Sequence, residues 1–110
     1  MEPILIVTNF PEKKLALRVA KRIVDDRLAA CVNILNTCTS VYSWQGKTES
    51  AEEIPVLIKT QKQHYNQVEK VITAMHPYEL PEIIAVSLDG GLPAYLRWIA
   101  HTTLPSDDNQ

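Results

Sequence analysis

Glycine and cysteine are scarce in this sequence, and neither sign of charge dominates it. Three glycines in 110 residues leave no phosphate-cradling glycine run and no low-complexity stretch. Eleven Lys and Arg against thirteen Asp and Glu give a formal charge of −2. The basic excess that attracts a phosphate backbone is missing, so nucleic acid is not expected as a partner. No apolar run approaches the roughly 20 residues that cross a bilayer, and no membrane association is expected. Met1-Glu-Pro-Ile-Leu-Ile-Val has no basic residues ahead of its short apolar stretch and does not read as a signal peptide. There is no nucleophile elbow, no H-E-x-x-H and no C-x-x-C pair, and no Ser or Thr stands in an activating context. Catalysis is therefore not expected.

Two cysteines, Cys31 and Cys38, fall in a stretch that reads as one extended strand, which sets them about 23 Å apart. A disulfide needs Cα atoms within about 7 Å, and a shared mononuclear metal needs them no farther. They read as reduced thiols of a cytoplasmic protein. With 45% hydrophobic and 22% charged residues, the chain is expected to form a single globular domain over residues 1–110, its tail frayed over 105–110.

Pro3 to Thr8 is a continuous β-branched run, the pattern of a strand covered on both faces. Asn9, with Glu12 three positions on, is a helix-start signal. Leu15, Val19 and Ile23, flanked by Ala16 and Ala20, then mark the apolar side of a helix to about Arg27. Leu28 to Trp44 alternates and reads as one long strand, turned at Trp44-Gln-Gly-Lys47 into a return strand ending at Thr60. Pro55 lies inside that return strand and calls for an edge or a neighbouring bulge. Thr60-Gln-Lys-Gln63 has a capping-box pattern ahead of a second helix with Tyr65, Val68, Ile72 and Met75 on one side, stopped by Pro77. Glu82 to Leu88 is a further strand. Asp89-Gly-Gly91 turns the chain, and Pro93 opens a last helix whose apolar side carries Tyr95, Leu96 and Ile99.

The order β-α-β-β-α-β-α predicts an α+β fold of the ferredoxin-like split βαβ type, an antiparallel sheet with its two main helices on one face. A fifteen-residue helix is about 22 Å long, whereas a fourteen-residue strand spans about 46 Å. Roughly half the central hairpin must therefore overhang the helices. A bare arm carrying Val41, Tyr42 and Trp44 is an aggregation hazard unless a second subunit covers it, which predicts a closed homo-oligomer.

The densest polar segment is His76-Pro-Tyr-Glu-Leu-Pro-Glu82, with an imidazole, a phenol and two carboxylates on a proline-stiffened connection. A histidine here also suits a helix C-terminus without any further role. Glu49, Glu52 and Glu53 read as a solvated face that blunts an exposed edge. Lys59, at a strand end, is placed to meet an anion or simply solvent. His64 and His101 have no second nitrogen or sulfur ligand at helical spacing and read as surface residues.

In its blocks Leu28-Ala-Ala-Cys-Val-Asn-Ile, Ser40-Val-Tyr-Ser-Trp-Gln-Gly-Lys47, Leu57-Ile-Lys-Thr60, His76-Pro-Tyr-Glu, Pro81-Glu-Ile-Ile-Ala85 and Tyr95-Leu-Arg-Trp-Ile99, the sequence resembles the CutA family of divalent cation tolerance proteins over nearly its whole length. The resemblance implies a PII-like homotrimer whose long hairpins pair across subunits, with Tyr42 and Trp44 at the interface. It also implies cytoplasmic residence and a role in the response to metal ions. The copper-ligand pattern described for the family uses a cysteine near the end of the first strand and a His-His pair before Pro-Tyr. Thr8, Met75 and His76 stand at those places, so His76 alone is retained. The expectation is a non-enzymatic trimer that binds copper or another divalent cation weakly, through His76 and Glu79, with Cys31 a more distant ligand. The alternative is a PII-like signalling module that takes a small anionic ligand in clefts between subunits, lined by Lys59, His76, Tyr78 and Glu82.

Overall fold

A computed structural model describes residues 1–105. The chain runs β1 (Pro3–Phe10), α1 (Lys13–Asp25), β2 (Cys31–Ile34), β3 (Cys38–Trp44), β4 (Lys47–Gln61), a 3₁₀ turn (Lys62–His64), α2 (Tyr65–Met75), β5 (Ile83–Ser87) and α3 (Pro93–Thr102). The strands lie in the order β2-β4-β1-β5, all pairs antiparallel, with β3 continuing beyond β2 along β4. This is the expected ferredoxin-like order. Of the tail expected to fray, only Pro105 falls among the described residues.

Period-2 alternation builds the core. Ile4, Ile6, Thr8 and Phe10 of β1 and Ile54, Val56, Ile58 and Thr60 of β4 are buried on one face of the sheet. Ala16, Val19 and Ile23 of α1 and Val68 and Ile72 of α2 close over that face in one apolar cluster. Each of the Val, Ile and Phe side chains among them stabilises the fold by roughly 1.5–3 kcal/mol on burial. The opposite face carries Leu5, Val7 and Leu57, half-buried, and Ile84 and Val86, about half exposed. α3 packs over the end of that face that carries Lys59 and Gln61. There the Lys59 ammonium lies 5.8 Å from the centre of the Tyr95 ring, and the Gln61 amide donates to Thr103 Oγ1 at 2.9 Å.

Three local expectations need correction. The strand expected over Leu28 to Trp44 is broken at residues 35–37, because four steps from Ile34 to Cys38 face only three from Val56 to Glu53. The extra residue makes a bulge. It falls opposite Pro55, which has no N–H to give and whose carbonyl accepts the Leu35 N–H at 2.9 Å, so the sheet tolerates its proline where the facing strand is interrupted. Asn9 is not a helix cap but the penultimate residue of β1; α1 starts after Glu12, which makes no side-chain cap bond. Thr60 likewise stays in β4, where its buried hydroxyl donates to the Leu28 carbonyl at 2.6 Å.

α1 also stops two residues early, and the hydrogen bonds say why. The Leu28 N–H reaches back to the Ile23 carbonyl and the Arg27 N–H to that of Val24, both at 3.0 Å, with Arg27 at φ 58°. This pair of bonds is a Schellman ending, in which a left-handed residue usually supplied by glycine is here an arginine.

The overhang is as the length argument requires. From Lys47 to Glu53, β4 pairs with β3 alone, since its pairing with β1 begins at Ile54. The arm turns through Gln45 (φ 50°) and Gly46 (φ 80°), the two positive φ values of a type I′ hairpin. It stretches the molecule to 52 × 30 × 23 Å.

Candidate functional site

The 76–82 connection runs across the end of the sheet where β1 stops and the arm begins. His76 follows the last turn of α2, its N–H bonded to the Ile72 carbonyl at 2.9 Å. The imidazole turns inward and keeps 9% of its exposure. Its Nε2 lies 2.6 Å from the Asn9 carbonyl, and its Nδ1 accepts the Tyr78 N–H at 3.1 Å. A carbonyl can only accept and a backbone N–H can only donate, so Nε2 carries the proton and Nδ1 the lone pair. Phe10 stacks on the ring at 4.9 Å between centroids, and Tyr78 leans on it at 4.7 Å. The end of β1 and the exit of α2 are thereby tied through one side chain. A second tie runs from Asn9 Nδ2 to Glu82 Oε1 at 2.8 Å.

This geometry bears directly on the expected cation set. Both ring nitrogens of His76 are engaged, so neither offers a free lone pair to a metal. Glu79 is exposed in the connection, and Cys31 lies opposite Lys59, far along β4. The three do not converge. Among the described residues no group of three or more His, Cys, Asp and Glu is placed to hold a metal ion. Thr8 and Met75 belong to the core side: Thr8 is fully buried, its hydroxyl without a hydrogen-bond partner, and Met75 packs against the apolar cluster.

The anion-binding set is also dispersed within one chain. Lys59 pairs with Leu5 across the ladder, whereas Glu82 is tied to Asn9, so about four strand residues, roughly 13 Å, separate the two levels. The surroundings of Tyr78 disfavour an anion as well. Its phenol pKa is raised from 10.0, first by burial, then by the charge and hydrogen bonding of Glu53, with Tyr42 adding to it. A carboxylate beside the phenol repels a negative ligand.

Glu53 itself is a correction. Expected on a solvated face with Glu49 and Glu52, it keeps only 9% of its exposure, while those two remain exposed. Sequence reasoning read Asn9 only as a helix start and passed over Phe10, so neither was expected at the site. The alternation of β1 contained a signal for Phe10, which has the parity of Ile4 and Ile6. Nothing local signalled Glu53, because its cover comes from the connection some 25 residues later. Tyr42 and Trp44 are 43% and 38% exposed on the arm, and His101 is exposed while His64 is half-buried.

Comparison with known proteins gives this arrangement relatives. The family model for the CutA1 divalent ion tolerance protein matches residues 4–102. The divalent-cation tolerance protein CutA of Thermus thermophilus is 38% identical over 103 residues, 94% of this chain and 99% of that protein. Protein CutA of Mus musculus is 40% identical over 93 residues, 84% of this chain and 52% of its own length. The chain thus spans about half of the mammalian relative and nearly all of the bacterial one. The crystal structure of CutA from Xylella fastidiosa superposes with a TM-score of 0.89 at 43% identity, covering 94% of this chain and 99% of that one. CutA1 from Oryza sativa superposes with a TM-score of 0.91 at 35% identity, covering 96% and 97%.

Proposed function

The chain belongs to the CutA1 divalent ion tolerance family, and from that premise we propose that it acts as a closed homotrimer in the response to divalent metal ions, without catalysing a reaction. The observation that carries the assembly is the arm. Val41 at 69% exposure, Tyr42 and Trp44 line a two-stranded projection with no cover of its own, and an isolated hairpin is marginal in water. The open sheet face adds Ile84 and Val86. A ring of three copies covers both surfaces and leaves no free interface.

Copper is the ion to test first, and its binding is expected to be micromolar or weaker, since a firm site needs three or four converging ligands. His76 serves in this reading as the tie between α2 and β1. Two free thiols, Cys31 and Cys38, suit a reducing compartment, and we place the protein in the cytoplasm. Light scattering at micromolar concentration tests the assembly: three times the 12.4 kDa chain mass is expected, and a monomer mass overturns it. Calorimetric titration with Cu(II) and Zn(II) tests the binding, and a nanomolar site would overturn the ligand argument.

A further inference from the structure

Two charges are out of place in the single chain. Among the described residues, Glu53 is the only carboxylate that is not exposed, and Lys59 the only Lys or Arg that is not exposed. Neither has an ion-pair partner: the described salt bridges join Arg22 to Asp26 and Lys62 to Glu2, all four exposed. A carboxylate on a residue this little exposed is stabilised by a nearby cation or further donors. Near Glu53 lies the Tyr78 phenol, with Tyr42 beside it, and neither supplies a positive charge. Around Lys59 there is the Tyr95 ring at 5.8 Å, a weak partner for an ammonium.

The two cannot meet within one chain. They lie six residues apart on the same extended strand, β4, which is about 20 Å. They do share what an interface needs. Both are at odd positions of β4, Glu53 at the root of the arm and Lys59 towards its far end beside α3, on the side carrying Leu57 that α1 and α2 do not cover. In a head-to-tail ring one patch of each copy meets a different patch of the next.

We propose that Glu53 and Lys59 complete each other across copies: the ammonium of Lys59 from one subunit enters the cage formed by Glu53, Tyr78 and Tyr42 of its neighbour. The site is incomplete in any single chain, and the three such pairs of a trimer would set the register of the ring as well as hold it. A pair of this kind fixes which patch meets which, because any other alignment buries a charge alone. The inference rests on the trimer proposed above and deepens it by naming the contact.

The test is a charge-swap cycle on the full chain, read as the trimer dissociation constant by light scattering and sedimentation. Glu53→Lys and Lys59→Glu are each expected to weaken the trimer by at least about tenfold, and the double variant to recover most of that loss. The neutral cycle Glu53→Gln with Lys59→Met guards against misfolding, with circular dichroism confirming the native spectrum, and is expected to show the same coupling. Losses that simply add in both cycles overturn the pair. A wild-type trimer that falls apart in chelator, with Lys59→Met silent, also overturns it and assigns the cation to a metal ion. A wild-type monomer removes the trimer itself, an outcome distinct from an intact trimer with uncoupled charges.

Discussion

β4 is two strands in one. From Ile54 to Thr60 it is the centre of the sheet, flanked by β1 throughout and by β2 from Val56 to Lys59, with every second side chain buried beneath α1 and α2. From Lys47 to Glu53 it has one neighbour, β3, and only Ala51 and Glu53 are withdrawn from solvent. The strand itself is unbroken from Lys47 to Gln61; the supply of apolar surface is not. Ile54, Val56 and Ile58 alternate into the core, whereas Thr48, Ser50 and Glu52 continue the same parity without anything to bury. A strand therefore persists past the end of its core only if other contacts hold it. In this protein the obvious source is another copy, so the body is expected to be stable by folding and the arm by assembly.

The largest effect should come from the body. Ile58 is 1% exposed at the centre of the apolar cluster, and Ile58→Ala is expected to cost about 4 kcal/mol of folding stability, through lost transfer energy and an unfilled cavity. Denaturant unfolding of the monomeric unit, or of the trimer at fixed concentration, reads this directly. A loss below about 1 kcal/mol would mean that the body collapses around the gap and that the contrast with the arm is weaker than drawn.

Trp44 tests the other half. Trp44→Ala is expected to weaken trimer association by about 3 kcal/mol, the scale of truncating a buried aromatic, while the folded subunit loses less than about 0.5 kcal/mol, as for an exposed position. Equal trimer stability in wild type and variant would leave the tip solvated and move the cover of the arm to its root, at Tyr42 and Glu53.

These two positions also mark what the sequence disclosed. Helical spacing located one side of the core, since Val19, Ile23, Val68 and Ile72 are buried where it put them. The strand β1, expected to be covered on both faces, instead alternates, with Ile4 and Ile6 buried and Leu5 and Val7 half-buried. The mismatch of helix and strand lengths located the arm. Local capping signals at Asn9 and Thr60 misled, because pairing with β4 in one case and β1 in the other outweighs a single capping bond worth about 1 kcal/mol. The candidate site was half legible. Its connection stood out as His76-Pro-Tyr-Glu, but the roles of its members depend on Asn9, Phe10 and Glu53, which reach it from β1 and β4. Contacts between residues so far apart in sequence leave no spacing to read. Hence a histidine that reads as a ligand in the linear chain has both nitrogens engaged in the folded one.

His76 ties the end of β1 to the exit of α2 where the body meets the arm, and its variants sharpen the boundary. His76→Ala leaves the Asn9 carbonyl and the Tyr78 N–H without partners and removes the ring stacked on Phe10, which should cost about 2 kcal/mol. Cu(II) affinity, by contrast, is expected to be unchanged, because the one lone pair of the ring, on Nδ1, is already taken by the Tyr78 N–H. Calorimetry on both proteins checks the second point, and loss of copper binding in the variant would restore the imidazole as a ligand and require its hydrogen bonds to break on metal entry.

The smallest effect compares a tyrosine of the body with one at the root of the arm. Tyr65, on α2, donates to Glu69 at 2.7 Å, and its pKa is raised from 10.0 by that hydrogen bond, then by burial and the charge of Glu69. Tyr78 is raised from the same value by burial, then by Glu53. A raised phenol pKa means that the folded state holds its proton more tightly than the unfolded one. Both contributions are therefore fully present below the unfolded pKa, about 10, and are lost as pH rises through the higher folded values. Unfolding measured from pH 8 to 11 is expected to show a plateau and then a decline above about pH 10. Tyr65→Phe should flatten part of that decline without touching trimer association. Tyr78→Phe should flatten another part and also change the concentration dependence of unfolding, because its phenol faces the charge at the root of the arm. If both variants leave the trimer equilibrium alike, the arm's root is as self-contained as the body, and the division drawn along β4 fails at Glu53.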